Sequence, residues 1–566
     1  MSRTSSAASL PRTAALISGM TLLSRLLGLA RDVAMAWLLG GSPAAEALVI
    51  AMRVPHMIRR LFAEGSLSMS ITAALVRLGC AAPQQPTAMP RRPAGRTAAQ
   101  AMPQPDSRTA QQAARQQEQP AHQPDGVPPC EPDPLFMAAV TRALHWRLTL
   151  VLGSVVAACC LLAGPFTHLL APAADSTVLA QAIPLFRLCL PYALAASLAA
   201  LGMGLLHSQQ CFLLPALAPV LFNCAVLASA ALAACGLGDA AFLLAGGMLA
   251  GGLLQWASQR AAVAPLWRAA ASVPVSGALV WRVARGMPSG ALGAAAPQLV
   301  MLCTTAAASA LPTGALAALY YAERLLELPL GLLTVGLSMA GLPLLSRLSA
   351  AGAHTAFAAQ TSTALRWSLL LTLPAAAALA AVAEPLIRLL LAHGAFDEQA
   401  VRLTTLALLG YLPALPACGL TRPLLAACHA HGLSRLPLHG ALLSTVLAGA
   451  AALGFLLFAD AGSALLPLTL SGSLALWTQP LCLWHGLNRR LREQGARLRL
   501  PCLPLVQMGC AAAGTGYAAS LTAQHIASPL WSLCAAIPAG MLCYALLLRL
   551  FRNGDALDIF HRLRLW

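Results

Sequence analysis

The sequence predicts an all-α polytopic membrane protein with about fourteen transmembrane helices. Three observations predict it. Of 566 residues, 58% are hydrophobic and only 10% charged, against roughly 25% charged in a soluble domain. Mean hydropathy is +0.70. Apolar runs of about 20 residues, each long enough to cross a ~30 Å hydrocarbon core, recur from end to end. Lipid offers no partner to an open backbone, so each run is expected to be a helix.

In chain order the expected spans are 14–39, 44–77, 147–171, 180–206, 211–235, 239–258, 288–310, 312–345, 367–391, 402–428, 438–458, 463–487, 503–524 and 529–551. Orientation follows from arginine placement. Arg260, Arg268, Arg282 and Arg285 lie between spans six and seven. Arg489, Arg490, Arg492, Arg497 and Arg499 lie between twelve and thirteen, and Arg552, Arg562 and Arg564 in the tail. The opposite loops hold Asp175, Asp239, Asp397, Glu398 and Asp460. Both termini are therefore expected on the cytoplasmic side. No cleavable signal pattern is present, because Arg25, Arg31 and Asp32 interrupt the first apolar stretch.

Net charge is +17 and no residue is Lys. The absence of Lys argues against a phosphate-binding P-loop, and arginines set among apolar spans do not suggest nucleic acid. The 16 Cys form no CxxC pair and read as small buried hydrophobes. No metal site or cofactor is expected. Residues 82–134 are rich in Gln, Pro and Ala, a composition unable to bury a core; they read as a disordered cytoplasmic insert.

An internal repeat accompanies the insert. Leu67-Ser68-Met69 recurs as Leu337-Ser338-Met339, an offset of 270 from 67 to 337. Leu190-Pro191, His207 and Pro215 recur as Leu412-Pro413, His429 and Pro437, an offset of 222 from 190 to 412. The offsets differ by 48 residues, close to the length of the insert. Spans one to six and seven to twelve thus read as two copies. The expected organisation is 1–81 for helices one and two, 82–134 for the insert and 135–270 for helices three to six. Residues 271–490 hold helices seven to twelve, and 491–566 the last two helices and tail.

Ionisable groups inside spans cost at least ~2.5–3.5 kcal/mol each at a helix centre and by default face a cavity. Arg25 and Arg31 lie about 22 and 14 Å from the turn at Gly40-Gly41, at 1.5 Å per residue. Arg25 and Asp32 are seven apart and share a face. Arg53, His56, Arg60 and Glu64 form one stripe on span two, with Arg59 turned from it; Glu323, Arg324 and Glu327 lie on span eight. Arg60 and Glu64, near the helix end, also suit an interfacial ion pair. An aqueous cavity with surplus Arg suits an anionic substrate, because the planar guanidinium binds phosphate oxygens two at a time.

Several segments carry a resemblance. "SGMTLLSRLLGLARD" (18–32), "MRVPHMIRRLFAEGSLS" (52–68), "YYAERLLELPLGLL" (320–333), "LPYALAASLAALGMGLLHSQQCFLLPALAPVLFN" (190–223) and "RLLLAHGAF" (388–396) resemble the signature segments of the MurJ (MviN) family. The resemblance covers nearly the whole chain except the insert. It implies a fold of the MOP transporter superfamily: two six-helix lobes around a central cavity, plus two C-terminal helices bordering a groove for a polyprenyl tail. It implies a transporter rather than an enzyme: a flippase moving the undecaprenyl-diphosphate-linked peptidoglycan precursor, lipid II, outward across the bacterial inner membrane by alternating access. Cell-wall synthesis proteins are then conceivable partners, beside membrane lipids.

By the same resemblance Arg25, Arg31, Arg59 and Arg324 match the family's critical cavity arginines. Asp32 follows Arg31 as in the family. Glu46 and Arg53 stand where members carry an acid and a base, and Glu323 where Asp is common; Glu327 completes the candidate substrate-binding set. Two departures bear on ion coupling: Thr304 stands six residues after Gln298 where Asn is frequent, and Gly432-Leu433-Ser434 replaces a Gly-Asp-Thr motif.

The alternatives are an exporter of another polyprenyl-linked oligosaccharide and a multidrug exporter of the same fold. The latter is expected to carry carboxylates, not Arg, in its first-lobe cavity. A non-transporting scaffold or receptor has no need of buried arginines.

Overall fold

A computed structural model describes residues 6–63, 133–209, 211–281, 296–333, 344–433, 435–458, 465–526 and 528–554, with side chains of the first stretch from 19 to 59. The repeat motif at 67–69 and 337–339, the Arg60 side chain, Glu64 and nearly all of the insert lie outside what is described.

The described residues form helices and no strand. The first lobe contains α1 (Ser6–Leu39), α2 (Pro43–Ala63), α3 (Pro134–Leu161), α4 (Ala163–Leu170), α5 (Ser176–Cys189), α6 (Pro191–Ser208), α7 (Leu213–Ala234) and α8 (Ala240–Ala269). The second contains α9 (Ala296–Ala308), α10 (Ala315–Leu333), α11 (His354–Ala381), α12 (Ala383–Leu391), α13 (Glu398–Tyr411), α14 (Ala414–Ala430), α15 (Arg435–Phe458) and α16 (Leu465–Glu493). The last pair is α17 (Cys502–Gln524) and α18 (Pro529–Leu550). Each of the fourteen expected spans overlaps one of these helices or a consecutive pair, with ends that differ by up to about a dozen residues.

The pairs are spans broken by proline, which lacks the N–H that a continuous helix needs. α5 gives way to α6 at Leu190-Pro191, and α13 to α14 at Leu412-Pro413 with a 44° bend. The breaks obey the repeat: α5 and α13 begin and end 222 residues apart, from 176 to 398 and from 189 to 411, and α7 and α15 begin at 213 and 435.

Two of the acids that mark the loops are helix caps. Asp239 Oδ1 accepts from the Phe242 N–H at 3.0 Å and Asp397 Oδ1 from the Ala400 N–H at 2.8 Å, satisfying donors that the first helical turn leaves open. Asp133 does the same for the Leu135 N–H at 2.9 Å, and Pro134 opens α3. The third span therefore starts well before 147. Its added turns pack Met137, Val140 and Leu144 against Trp267 of α8, and Arg142 donates to the carbonyls of Trp267 and Ala271, both at 3.1 Å.

In the first lobe α1 packs on α7, α7 on α8, α8 on α6, and α2 on α5 and α6. In the second α9 packs on α15, α10 on α13, α11 on α14, and α16 on α13 to α15. α17 and α18 pair with each other and lean on α11 and α12. Without a hydrophobic force between helices in lipid, small residues let backbones approach: a Cβ on Gly251 of α8 would stand 2.9 Å from the Phe222 ring of α7. Large apolar side chains such as Leu150, Leu161, Trp531 and Met541 are exposed, as lipid-facing surface requires.

The core is asymmetric along the bundle axis. At the Gly40 end one cluster joins both lobes, from Met35, Leu48 and Phe186 to Leu319, Tyr321 and Leu408. At the other end each lobe has its own: Met137, Leu205 and Trp267 in the first, Phe357, Leu424 and Leu487 in the second, shared with Met508 of α17. Among the described residues the lobes thus share a core at one end and have separate cores at the other.

Candidate functional site: a charged interlobe cleft

The α1–α2 turn places two charged helices against the second lobe. Gly40 (φ +54°) allows the reversal. α2 then runs beside α10, and Arg53 Nη1 donates to Glu323 Oε2 at 2.6 Å, with both side chains under a tenth exposed. On α10, Arg324 lies 3.4 Å from the other oxygen of Glu323 and 2.8 Å from Glu327. Glu323 is therefore shared by an arginine from each lobe.

A second link runs from α1 to α10. Asp32 Oδ1 accepts from Arg31 Nε at 3.0 Å, Arg31 Nη2 at 2.8 Å and the Tyr320 hydroxyl at 3.1 Å. The Arg324 guanidinium lies over the Tyr320 ring, 5.2 Å from its centroid, a favourable cation–π placement. Arg31 Nη1 also donates to Asn223 Oδ1 of α7 at 3.1 Å. Further along α1, Arg25 Nη2 donates to the Gly331 carbonyl of α10 at 3.0 Å. Arg59 sits half-buried on α2, six residues beyond Arg53.

Between α2, α9 and α10 lies a narrow cleft lined by Arg53, His56, Gln298, Tyr320, Glu323 and Arg324 with Met52, Met57 and Met301. A second, largely apolar, lies mainly between first-lobe helices, with Arg31, His56 and Tyr320 of α10 on its wall. Buried Arg53 Nε and Nη2 have no hydrogen-bond partner among the described residues, an uncommon condition that a ligand or solvent in the cleft would relieve.

Eight of the nine candidate residues thus lie along the facing stretches of α1, α2 and α10. Glu46 stands apart. Its carboxylate Oε1 accepts from the N–H groups of Gly314 at 2.8 Å and Leu316 at 3.1 Å. It caps the N-terminus of α10 from the opposite lobe, where the helix dipole favours a negative charge. Beside it, the Trp37 carbonyl accepts from the Ala395 N–H at 3.0 Å. The α1–α2 turn therefore seals against 394–396, within the segment 388–396.

The residues not anticipated are Tyr320 and Asn223. Tyr320 stands in "YYAERLLELPLGLL", but nothing in its spacing shows that its hydroxyl reaches α1. Asn223 had a legible signal: it is the one amide side chain in the apolar run 213–234. Among the described residues no group of three or more His, Cys, Asp or Glu is placed to hold a metal ion.

Comparison with known proteins agrees with this architecture. The family model described as lipid II flippase MurJ matches residues 132–552, which takes in α3 to α18 and leaves out α1 and α2. A lipid II flippase MurJ of Burkholderia cenocepacia is 30% identical over 408 residues, covering 70% of this chain and 68% of its own. A probable lipid II flippase MurJ of Treponema pallidum is 28% identical over 491 residues, covering 86% and 83%. Among solved structures, a lipid II flippase MurJ in an inward closed conformation aligns over 95% of this chain and 99% of that chain, with TM-score 0.70 and 20% identity. An inward-facing multidrug MATE transporter of the MOP superfamily covers 85% of this chain and 99% of that chain, with TM-score 0.59 and 14% identity. The structural likenesses establish the MOP fold. With a matching family model over most of its length and a 30% identical relative, this polytopic membrane protein belongs to the MurJ family.

Proposed function

We propose that this chain moves lipid II from the cytoplasmic to the outer leaflet of the inner membrane by alternating access, its cavity arginines binding the diphosphate. One observation carries the reading: arginines of both lobes line a single interlobe cleft. Arg53 of the first lobe and Arg324 of the second line it together with Glu323, and Arg31 stands beside it with Asp32 and Tyr320. Guanidinium groups drawn from both lobes suit a diphosphate diester, which carries about two negative charges at neutral pH.

The acids have a role in the empty state. Unpaired buried charges cost several kcal/mol each, so each carboxylate holds an arginine until an anion competes for it. Arg25, Arg31, Arg59 and Arg324 supply the fork geometry that takes two phosphate oxygens at once. With both termini cytoplasmic, the end with separate cores faces the cytoplasm and the Gly40 seal faces outward. Glu46 then belongs to the outer closure rather than to the substrate's anion. Cell-wall synthesis proteins, which consume lipid II outside, are the proposed partners.

The test is replacement: this chain is expressed in cells depleted of their own lipid II flippase, and growth and outward exposure of lipid II are measured. Growth with restored exposure is expected. Stable expression with neither, alongside export of another polyprenyl-linked oligosaccharide or efflux of cationic drugs, would favour the alternative substrates.

A further inference from the structure

Asn223 is set deep in α7, 5% exposed, in a helix whose other residues are almost all apolar. A buried amide in a span is costly unless both its ends are satisfied. Here they are, and both bonds go to α1. Its Oδ1 accepts from Arg31 Nη1 at 3.1 Å, and its Nδ2 donates to the Ser24 carbonyl at 2.9 Å. Gly28, between those two residues, leaves room: a Cβ there would meet Asn223 at 3.6 Å.

The consequence falls on Arg31. A guanidinium has five N–H donors. Asp32 Oδ1 takes those of Nε and one of Nη2, and Asn223 takes one of Nη1. One N–H remains on each η nitrogen. Asp32, the next residue in the chain, holds the group along one edge and is itself bonded to the Tyr320 hydroxyl of α10. Asn223 fixes the far nitrogen to a different helix, with the Phe222 ring 5.8 Å from the guanidinium carbon. We infer that Asn223 is a positioning residue for substrate binding, locking the Arg31 guanidinium so that its two remaining donors present to the diphosphate. The inference rests on the proposed lipid II reading; Asn223 itself touches no substrate.

The test is a double-mutant cycle on the purified full chain, with lipid II as the probe and affinity as the readout. Asn223→Leu is expected to weaken lipid II binding about tenfold, the scale of one hydrogen bond to a charged group. In an Arg31→Ala background the same substitution is expected to change affinity less than about twofold, because the group it positions is gone. Equal weakening in both backgrounds would assign Asn223 to α1–α7 packing and overturn the inference, as would unchanged affinity in the otherwise native chain. Should Asn223→Leu not accumulate in membranes, Asn223→Ser, small and polar, is carried through the same cycle with the same expected coupling. A native chain that fails to bind lipid II would remove the proposed function itself, and this inference with it.

Discussion

Arg53 and Glu323 stand 270 residues apart and pair with each other at 2.6 Å. That separation is the internal-repeat offset of this part of the chain, so the two residues occupy corresponding positions on corresponding helices. Glu46 and Leu316, also 270 apart, meet as well, carboxylate to N–H. α2 and α10 are thus packed about a pseudo-twofold axis that passes close to the Arg53–Glu323 pair. The same position carries a base in one copy and an acid in the other, so the lobes attract where identical residues would repel.

A charge exchange tests that relationship. Glu323→Ala leaves Arg53 buried without its acid, a loss of about 3–5 kcal/mol, read as a lower thermal midpoint in detergent; Arg53→Ala is expected to cost less, because Arg324 still adjoins Glu323. The exchange Arg53→Glu with Glu323→Arg is expected to recover most of the loss. The recovery should be incomplete, because Arg324 adjoins the new arginine.

The outer seal should depend on Glu46. Glu46→Ala removes both bonds to the α10 N-terminus, worth together about 2 kcal/mol or more, or about thirtyfold in the ratio of closed to open forms. A cysteine placed at Ala395 is expected to react faster with an impermeant thiol reagent added outside. Glu46→Gln, which keeps an acceptor, should show a smaller rise. Equal labelling in all three backgrounds would contradict the seal.

The four proposed diphosphate ligands should be individually required. Arg25→Ala, Arg31→Ala, Arg59→Ala and Arg324→Ala are each expected to abolish growth support at near-normal membrane levels. Arg→Lys should fail too where two oxygens are held at once. If all four Ala variants sustain growth, the anion is bound elsewhere.

The insert should be dispensable. Asp133 and Pro134 start α3, so a deletion of 82–131 joined by a short flexible linker keeps the cap. Transport is expected to persist. A stable deletion variant that is inactive would assign the segment a specific role.

Transport should be driven by membrane potential and be independent of sodium. The expected spans 288–310, 438–458 and 463–487 contain no Asp or Glu, whereas a hard cation normally takes a carboxylate among several oxygens. A potential is worth about 2.3 kcal/mol per charge per 100 mV, and a negative interior pushes a diphosphate outward. Lipid II translocation is measured with sodium replaced by choline, then with the potential collapsed at constant pH gradient. Loss of transport on sodium removal alone would sink this idea.

The sequence by itself determined that the chain lives in lipid, where its spans lie, that the spans repeat, and which side chains are too costly to face hydrocarbon. These follow from local terms: a run of apolar residues, a proline, an arginine carry their energetics wherever the chain goes. Arg31, Arg53 and Arg324 were legible for that reason. Only the tertiary structure decided which charges meet. That Arg53 pairs with Glu323 rather than with a neighbour on α2 depends on how the two copies dock. That Tyr320 and Asn223 converge on α1 depends on the packing of α10 and α7. Glu46 shows the limit most clearly: in sequence it is one more acid near the arginines, yet its two bonds to the start of α10 exist only because the lobes close there. Hydrogen bonds act over about 3 Å, and no residue spacing specifies a distance that short between helices hundreds of residues apart.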